Sequence, residues 1–331
     1  MASVLRVPRL PFGTYPTPVE RGPAGLWVKR DDLTSDLYGG NKVRKLEVLL
    51  AAAREAGKTR ILTVGAVGSH QVVATAVYGA REGFHVEAVL VPQPASPHAE
   101  LNLRAALARG LDATACPAWS LAPAYVAARW SGDAYFVPLG GSNALGSLGF
   151  IDAAEELAAQ VRAGQLPEPD VAVVALGSGG TAAGLAVGFE HVGLRTRVVG
   201  VAVAPPTPVL RHLARRLAQK TAGFAGLPTA VGVRAAKRID VEGQWIGRGY
   251  GYETDEGRRA TEIAAAAGLT LDRTYTAKAF ACALAHVEAR PESQVLYWHT
   301  LSTAPLEPLL LDQGAEPSEP LPPALARLLK P

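Results

Sequence analysis

Short runs of β-branched and other apolar residues alternate along this chain with Ala-rich stretches of helical period. Ile61–Val67, Val86–Val91, Tyr135–Leu139, Val171–Leu176, Val198–Val203 and Val295–His299 read as strands. Val171-Ala172-Val173-Val174-Ala175-Leu176 is apolar without interruption, as expected of a parallel strand buried on both faces. Helical crossovers between such strands predict an α/β fold with mainly parallel, twisted sheets flanked by helices. Gly164–Pro169 predicts a linker into a new strand, and Pro205-Pro206-Thr207-Pro208 interrupts the chain after another. Leu227–Gly251, irregular and rich in Gly and charge, predicts loop and edge structure, with a lid as one use for it.

Composition narrows the partners. At 331 residues the chain is longer than one typical core supports, which favours two domains or one large α/β unit. Lys and Arg number 33 against 30 Asp and Glu, with no run of like charges to suggest a nucleic-acid groove. No apolar run reaches the length of a membrane span, and the first residues lack a signal-like apolar segment. A cytoplasmic protein with a small-molecule partner is the expectation. Cys116 and Cys282 show no metal-binding spacing and are expected to be small buried residues.

Chemistry concentrates in the turns that leave the strands or open the helices. In Gly39-Gly40-Asn41-Lys42-Val43-Arg44-Lys45-Leu46-Glu47, Asn41 reads as an N-cap and Lys42 falls in the first helical turn. The helix dipole disfavours a cation there and helps lower the amine's pKa, which suits a Schiff-base lysine, while this segment alone equally describes a solvated first-turn lysine with no such role. Gly177-Ser178-Gly179-Gly180-Thr181 stands between the strand Val171–Leu176 and a helix, the order of an anion cradle built from backbone N–H groups and hydroxyls. Its spacing is neither G-x-G-x-x-G nor a P-loop, so a phosphate outside the dinucleotide and NTP classes fits best, the alternative being glycines that only allow close packing. Gly140-Gly141-Ser142-Asn143 follows another strand and lines the same cleft or serves an ordinary turn. Ser69-His70-Gln71 again leads from strand to helix; it holds a carboxylate, or Ser69 is simply a cap. A lysine for an aldehyde and a cradle for a phosphate together point to pyridoxal 5′-phosphate.

These motifs, with Lys29-Arg30-Asp31-Asp32-Leu33-Thr34, Tyr275-Thr276-Ala277-Lys278 and His299-Thr300, occur in an order that resembles the fold-type II pyridoxal-phosphate enzymes, the family of D-cysteine desulfhydrase and 1-aminocyclopropane-1-carboxylate (ACC) deaminase. The resemblance implies a fold like the tryptophan synthase β subunit, with a larger cofactor domain (1–44 and 152–331), a smaller substrate-side domain (45–151) and the cofactor between them. It implies that Lys42 carries the cofactor with Asn41 beside it, and that Gly177, Ser178, Gly179, Gly180 and Thr181 hold the phosphate. Ser69, His70 and Gln71 would receive the substrate carboxylate, with Ser69 also placed for catalysis and His70 beside the cofactor's phenolic oxygen. Tyr250 and Tyr275 would face the substrate. Thr276 stands where ACC deaminase-like sequences have an acid opposite the pyridine nitrogen; a hydroxyl there, as in desulfhydrase-like sequences, leaves the ring largely neutral. The implied activity is α-proton removal and β-elimination from a small amino acid by a homodimeric lyase or deaminase. ACC deamination, racemisation or β-replacement, and a silent ligand-binding protein, are the alternatives. Gly68, His70, Ala277 and Leu301 depart from the family pattern and imply a reshaped pocket.

Overall fold

The computed structural model describes residues 7–311 and 320–330. Its strands in chain order are β1 (Val19–Arg21), β2 (Trp27–Lys29), β3 (Arg60–Ala66), β4 (His85–Val91), β5 (Gln93–Pro94) and β6 (Asp112–Ala115). There follow β7 (Ala134–Val137), β8 (Val171–Leu176), β9 (Arg197–Ala202), β10 (Ile239–Glu242), β11 (Val295–Trp298) and β12 (Leu329–Lys330). The chain forms two compact units. One comprises Gly13–Lys45 and Ser142–Thr303; the other comprises Pro8–Phe12, Leu46–Gly141 and the described part of Ala304–Pro331.

The first unit holds a six-stranded sheet in the order β1-β2-β11-β8-β9-β10, parallel throughout except for the β1–β2 pair. The unbroken apolar run of β8 has a direct cause, because helices cover both faces. Ala172, Val174 and Leu176 pack into one core with Leu148, Phe150, Phe189 and Trp298, while Val173 points into the other with Phe280, Tyr297 and Val199. Burying both faces of a strand removes about 25 cal/mol per Å² of apolar surface from water on each side. The second unit carries a four-stranded parallel sheet, β6-β4-β3-β7, and the small β5–β12 pair.

All six predicted strands form, Val171–Leu176 with the same ends and the others within two residues of theirs. The Leu227–Gly251 segment contains the expected edge structure in strand β10, but a helix, Thr229–Lys237, stands where loop was expected. That helix buries only Gly232, Ala235 and Ala236, so its inward face carries almost no apolar period. The proline cluster after β9 opens the Thr207–Phe224 helix with Pro in its first turn, where the missing N–H costs nothing. β1, β2 and β6 have only three or four residues each, too few for alternation to show. Both cysteines are buried and free. Among the described residues, no helix is long and apolar enough to cross a membrane.

A buried charge network braces the first unit. Arg44 grips Asp31 with two hydrogen bonds of 2.9 and 2.7 Å and also reaches Glu156 at 3.1 Å. Lys29 pairs with Glu156 and donates to Gln160 and the Thr17 carbonyl, and Trp298 Nε1 donates to Asp31 at 2.7 Å. Burial alone would raise both carboxyls, but Arg44 and Lys29 outweigh it and hold Asp31 and Glu156 below the ordinary range. Between the folded and unfolded values the folded chain therefore binds fewer protons. The network's contribution is present above the unfolded carboxylate values, near about 4, and is lost as pH falls through the lower folded values. Replacing Glu156 by Ala leaves two buried cations short of a partner and is expected to cost about 3–5 kcal/mol. Denaturant melts should show that loss at about pH 7 and a smaller difference between the two proteins at about pH 3.

Candidate active site

Lys42 opens the Lys42–Glu55 helix, and the loop before it is pinned on both sides. Gly40 N donates to the Asp31 carbonyl at 3.0 Å, and Asn41 N donates to that of Thr300 at 3.2 Å. Gly40 adopts φ +84°, and a Cβ there would stand 2.7 Å from the Thr300 oxygen. Only glycine makes this approach. The Asn41 side chain does not cap the helix as its position suggested. Its Oδ1 accepts from Lys42 Nζ at 2.7 Å and its Nδ2 donates to Thr181 Oγ1 at 3.0 Å, so two hydrogen bonds tie the amine to the glycine loop.

That loop leaves the carboxyl end of β8. Gly179 sits in the left-handed region as N-cap of the Gly180–Val192 helix and supplies no side-chain cap. Among the described residues, the Ser178, Gly179 and Thr181 amides find no protein acceptor, while Gly180 N donates to Ser142 Oγ at 3.1 Å. Ser142 Oγ also shares a 2.7 Å hydrogen bond with Ser178 Oγ and accepts from Lys45 Nζ at 3.1 Å. A Cβ on Gly180 would overlap Ser142 Oγ and come within 3.0 Å of Lys45 Nζ. Amides, two hydroxyls and an amine thus converge at a helix N-terminus, a donor set suited to a phosphate dianion.

Burial lowers the Lys42 amine to about 8, against a smaller upward pull from Asp272. Desolvation is thus the leading cause. Lys45 is driven well below its usual value by burial and by Lys42 beside it. The two tyrosines also come together: Tyr250 and Tyr275 share a 2.7 Å hydrogen bond between hydroxyls, and the Tyr275 ring borders Gly177. Burial pushes Tyr250 up to about 12 and Tyr275 well above its ordinary value, so both remain phenols. Thr276 is buried at the start of the Thr276–Ala289 helix. Its hydroxyl donates to Asp272 Oδ2 at 2.7 Å and accepts from Asp272 N at 2.6 Å. Asp272 further receives the amides of Thr274, Tyr275 and Thr276. His299, at the end of β11, is held below its usual value by burial.

The Ser69-His70-Gln71 turn belongs to the second unit. Ser69 is the N-cap of the His70–Arg81 helix, yet its side chain makes no capping bond. His70 Nε2 lies 3.0 Å from His98 Nε2, so one ring donates to the other. The Gln71 amide is engaged inside the unit with Thr63 and Thr75 at 3.0 and 2.8 Å, which leaves its backbone as the group to offer a ligand. The departure at Gly68 has a packing cause: a Cβ would come 2.5 Å from that of Ala99. Lys45, Ser142 and Asp272 were not singled out from the sequence. The Lys42/Lys45 spacing and the Gly140–Asn143 cluster hinted at the first two; nothing local marked Asp272.

The chain belongs to the pyridoxal-phosphate dependent enzyme family, whose model matches residues 10–300. Pyridoxal 5′-phosphate is accordingly its cofactor, and its architecture is that of fold type II. A crystal structure of an ACC deaminase homologue is 28% identical, with a TM-score of 0.77 over 92% of this chain and 97% of that one. A fungal L-serine ammonia-lyase from Rhizomucor miehei, 14% identical, shares the fold with a TM-score of 0.62 over 88% of this chain and 96% of its own.

A lysine titrating near 8 should take up the cofactor faster as pH rises through about 8 and then level off. An ordinary lysine would continue to accelerate toward about 10.4. Stopped-flow recombination of cofactor-free protein with pyridoxal phosphate checks this, and Lys42→Ala should leave no borohydride-fixed adduct.

Proposed function

We propose that this protein is a lyase that removes the α-proton of a small β-substituted amino acid and eliminates the β-substituent. D-Cysteine is the leading substrate, converted with water to pyruvate, ammonia and sulfide. The observation that carries this reading is the setting of Lys42, an amine that burial lowers to about 8 in the same unit as the phosphate-type cradle and a pair of buried phenols. Lys42 is the proposed attachment point. Gly177, Ser178, Gly179, Gly180 and Thr181, joined by Ser142 and Lys45, would hold the phosphate, and the Ser69–Gln71 turn would take the substrate carboxylate.

Pyridoxal phosphate, when bound, supplies the electron-withdrawing ring that acidifies the Cα–H bond. The chain's own groups manage the protons. The Lys42 amine accepts the Cα proton, as its lowered value allows near neutral pH. The Tyr250–Tyr275 pair, kept protonated by burial, donates to the departing β-group. One proton taken and one given leaves the site neutral across elimination.

Asp272 favours a second reading. The Thr276 proton lies on its carboxylate, so toward any other group this oxygen is an acceptor. A negative charge one hydroxyl away would help keep a neighbouring ring nitrogen protonated. That is the stronger electron sink that opening a cyclopropane demands, and a 28% identical structure is an ACC deaminase homologue. Assays with D-cysteine, β-chloro-D-alanine, L-serine and ACC separate the readings. Pyruvate with sulfide from D-cysteine supports elimination, and 2-oxobutanoate from ACC alone would replace it with ring opening. A change in the cofactor spectrum without product from any of them would reduce the protein to a binder. Under either turnover reading, Tyr275→Phe should lower kcat by about 10²–10⁴-fold while the cofactor's visible band stays in place.

A further inference from the structure

On the side of the six-stranded sheet covered by the Thr276–Ala289 helix, three side chains of different chemistry meet beside a cavity. Glu242 ends the edge strand β10, and Cys282 and His286 lie one turn apart on the helix. One ligand-type atom from each falls within 4.8 Å of the others. His286 Nε2 is 2.8 Å from Glu242 Oε1, and Cys282 Sγ is 3.3 Å from Oε2. We propose that Glu242, Cys282 and His286 form a binding site for a divalent transition metal of the zinc class.

Zinc bonds of about 2.0–2.3 Å in a tetrahedron place neighbouring ligand atoms about 3.3–3.7 Å apart; the 2.8 and 3.3 Å contacts to the Glu242 carboxylate would open by about half an ångström or less, and all three groups already lie within 4.8 Å of one another. The i, i+4 spacing of Cys282 and His286 sets both on one helix face. Glu242 is already oriented from behind, since Trp245 Nε1 and Gln244 Nε2 donate to its Oε2 at 3.0 and 2.9 Å. Such outer hydrogen bonds orient ligating carboxylates in metal sites. Glu242 and His286 also line a cavity of about 800 Å³ together with Asp170, Arg197, Asp240 and Arg290, which gives an ion an entry path and leaves a fourth position for water. Binding expels the Cys282 thiol proton, so thiolate, carboxylate and neutral imidazole balance the 2+ charge. A thiolate and an imidazole select zinc or cobalt over magnesium or calcium.

A second cluster, His85, Glu87 and Asp112, lacks this character. Arg60 and Arg129 already pair with its carboxylates, and it has no sulfur.

Untagged holoenzyme, stripped with a chelator and titrated with Co²⁺, tests the assignment. The expected result is one ion per chain with tetrahedral visible bands and a thiolate-to-cobalt charge-transfer band in the near ultraviolet. Cys282→Ser should abolish the charge-transfer band and weaken binding by at least about tenfold, with the cofactor band and circular dichroism unchanged. The partly exposed His286→Gln gives an independent arm should the serine variant fail to fold, with the same expected weakening. The proposal is overturned if uptake is not saturable or the cobalt spectrum lacks the sulfur band. It is equally overturned if Cys282→Ser matches wild type, or if the cofactor band shifts in step with cobalt uptake, which would put the metal on the cofactor.

Discussion

The forked pair between Arg44 and Asp31 is the contact on which the rest of the candidate site depends. Asp31 is fully buried and engages the Arg44 fork, the Trp298 indole and the Thr17 hydroxyl. Its backbone carbonyl also fixes Gly40 N. One residue therefore binds the end of β11, the loop before Lys42 and the second residue after Lys42 in the helix. A bidentate Arg–carboxylate pair fixes orientation as well as distance, and Glu156 carries that constraint to the Ala144–Arg162 helix. The first turn that bears Lys42 is thus held by charge and geometry where apolar packing alone would allow it to rotate.

Burial then acts on the site in opposite directions according to the charge of the ionised form. It lowers Lys42 and Lys45, whose charged forms are cationic, and raises Tyr250, Tyr275 and Tyr297, whose charged forms are anionic. In both cases burial moves the group toward its neutral form. In Asn41, one amide group accepts from the lysine and donates to Thr181. The amine and the glycine loop accordingly keep a common reference.

How much of this was legible in the chain follows from the range of each interaction. The six longer strands could be read because two covered faces leave an unbroken apolar run; local turn chemistry marked Lys42 and the glycine loop as candidates, and the fold joins them through Asn41. The Thr229–Lys237 helix was missed because alanine and glycine form its buried face. Lys45, Ser142 and Asp272 acquire meaning only when elements nearly a hundred residues apart or more converge, as Lys45 and Ser142 do. His70 was read as a substitution beside the cofactor; its partner His98, 28 residues away, left no mark in the local sequence. The same limit applied to Cys282, whose companion Glu242 stands on an edge strand 40 residues away.

Asp272 makes the site electrically indivisible. Its carboxylate holds three successive amides and a hydroxyl, and its field also raises Lys42, Tyr250, Tyr275, Lys278 and His299. A change at this position would shift a lysine, two tyrosines and a turn at once. Sequence drift or engineering aimed at new substrates therefore has more freedom in the residues around this carboxylate than at the carboxylate itself, because neighbours can be exchanged one at a time and Asp272 cannot.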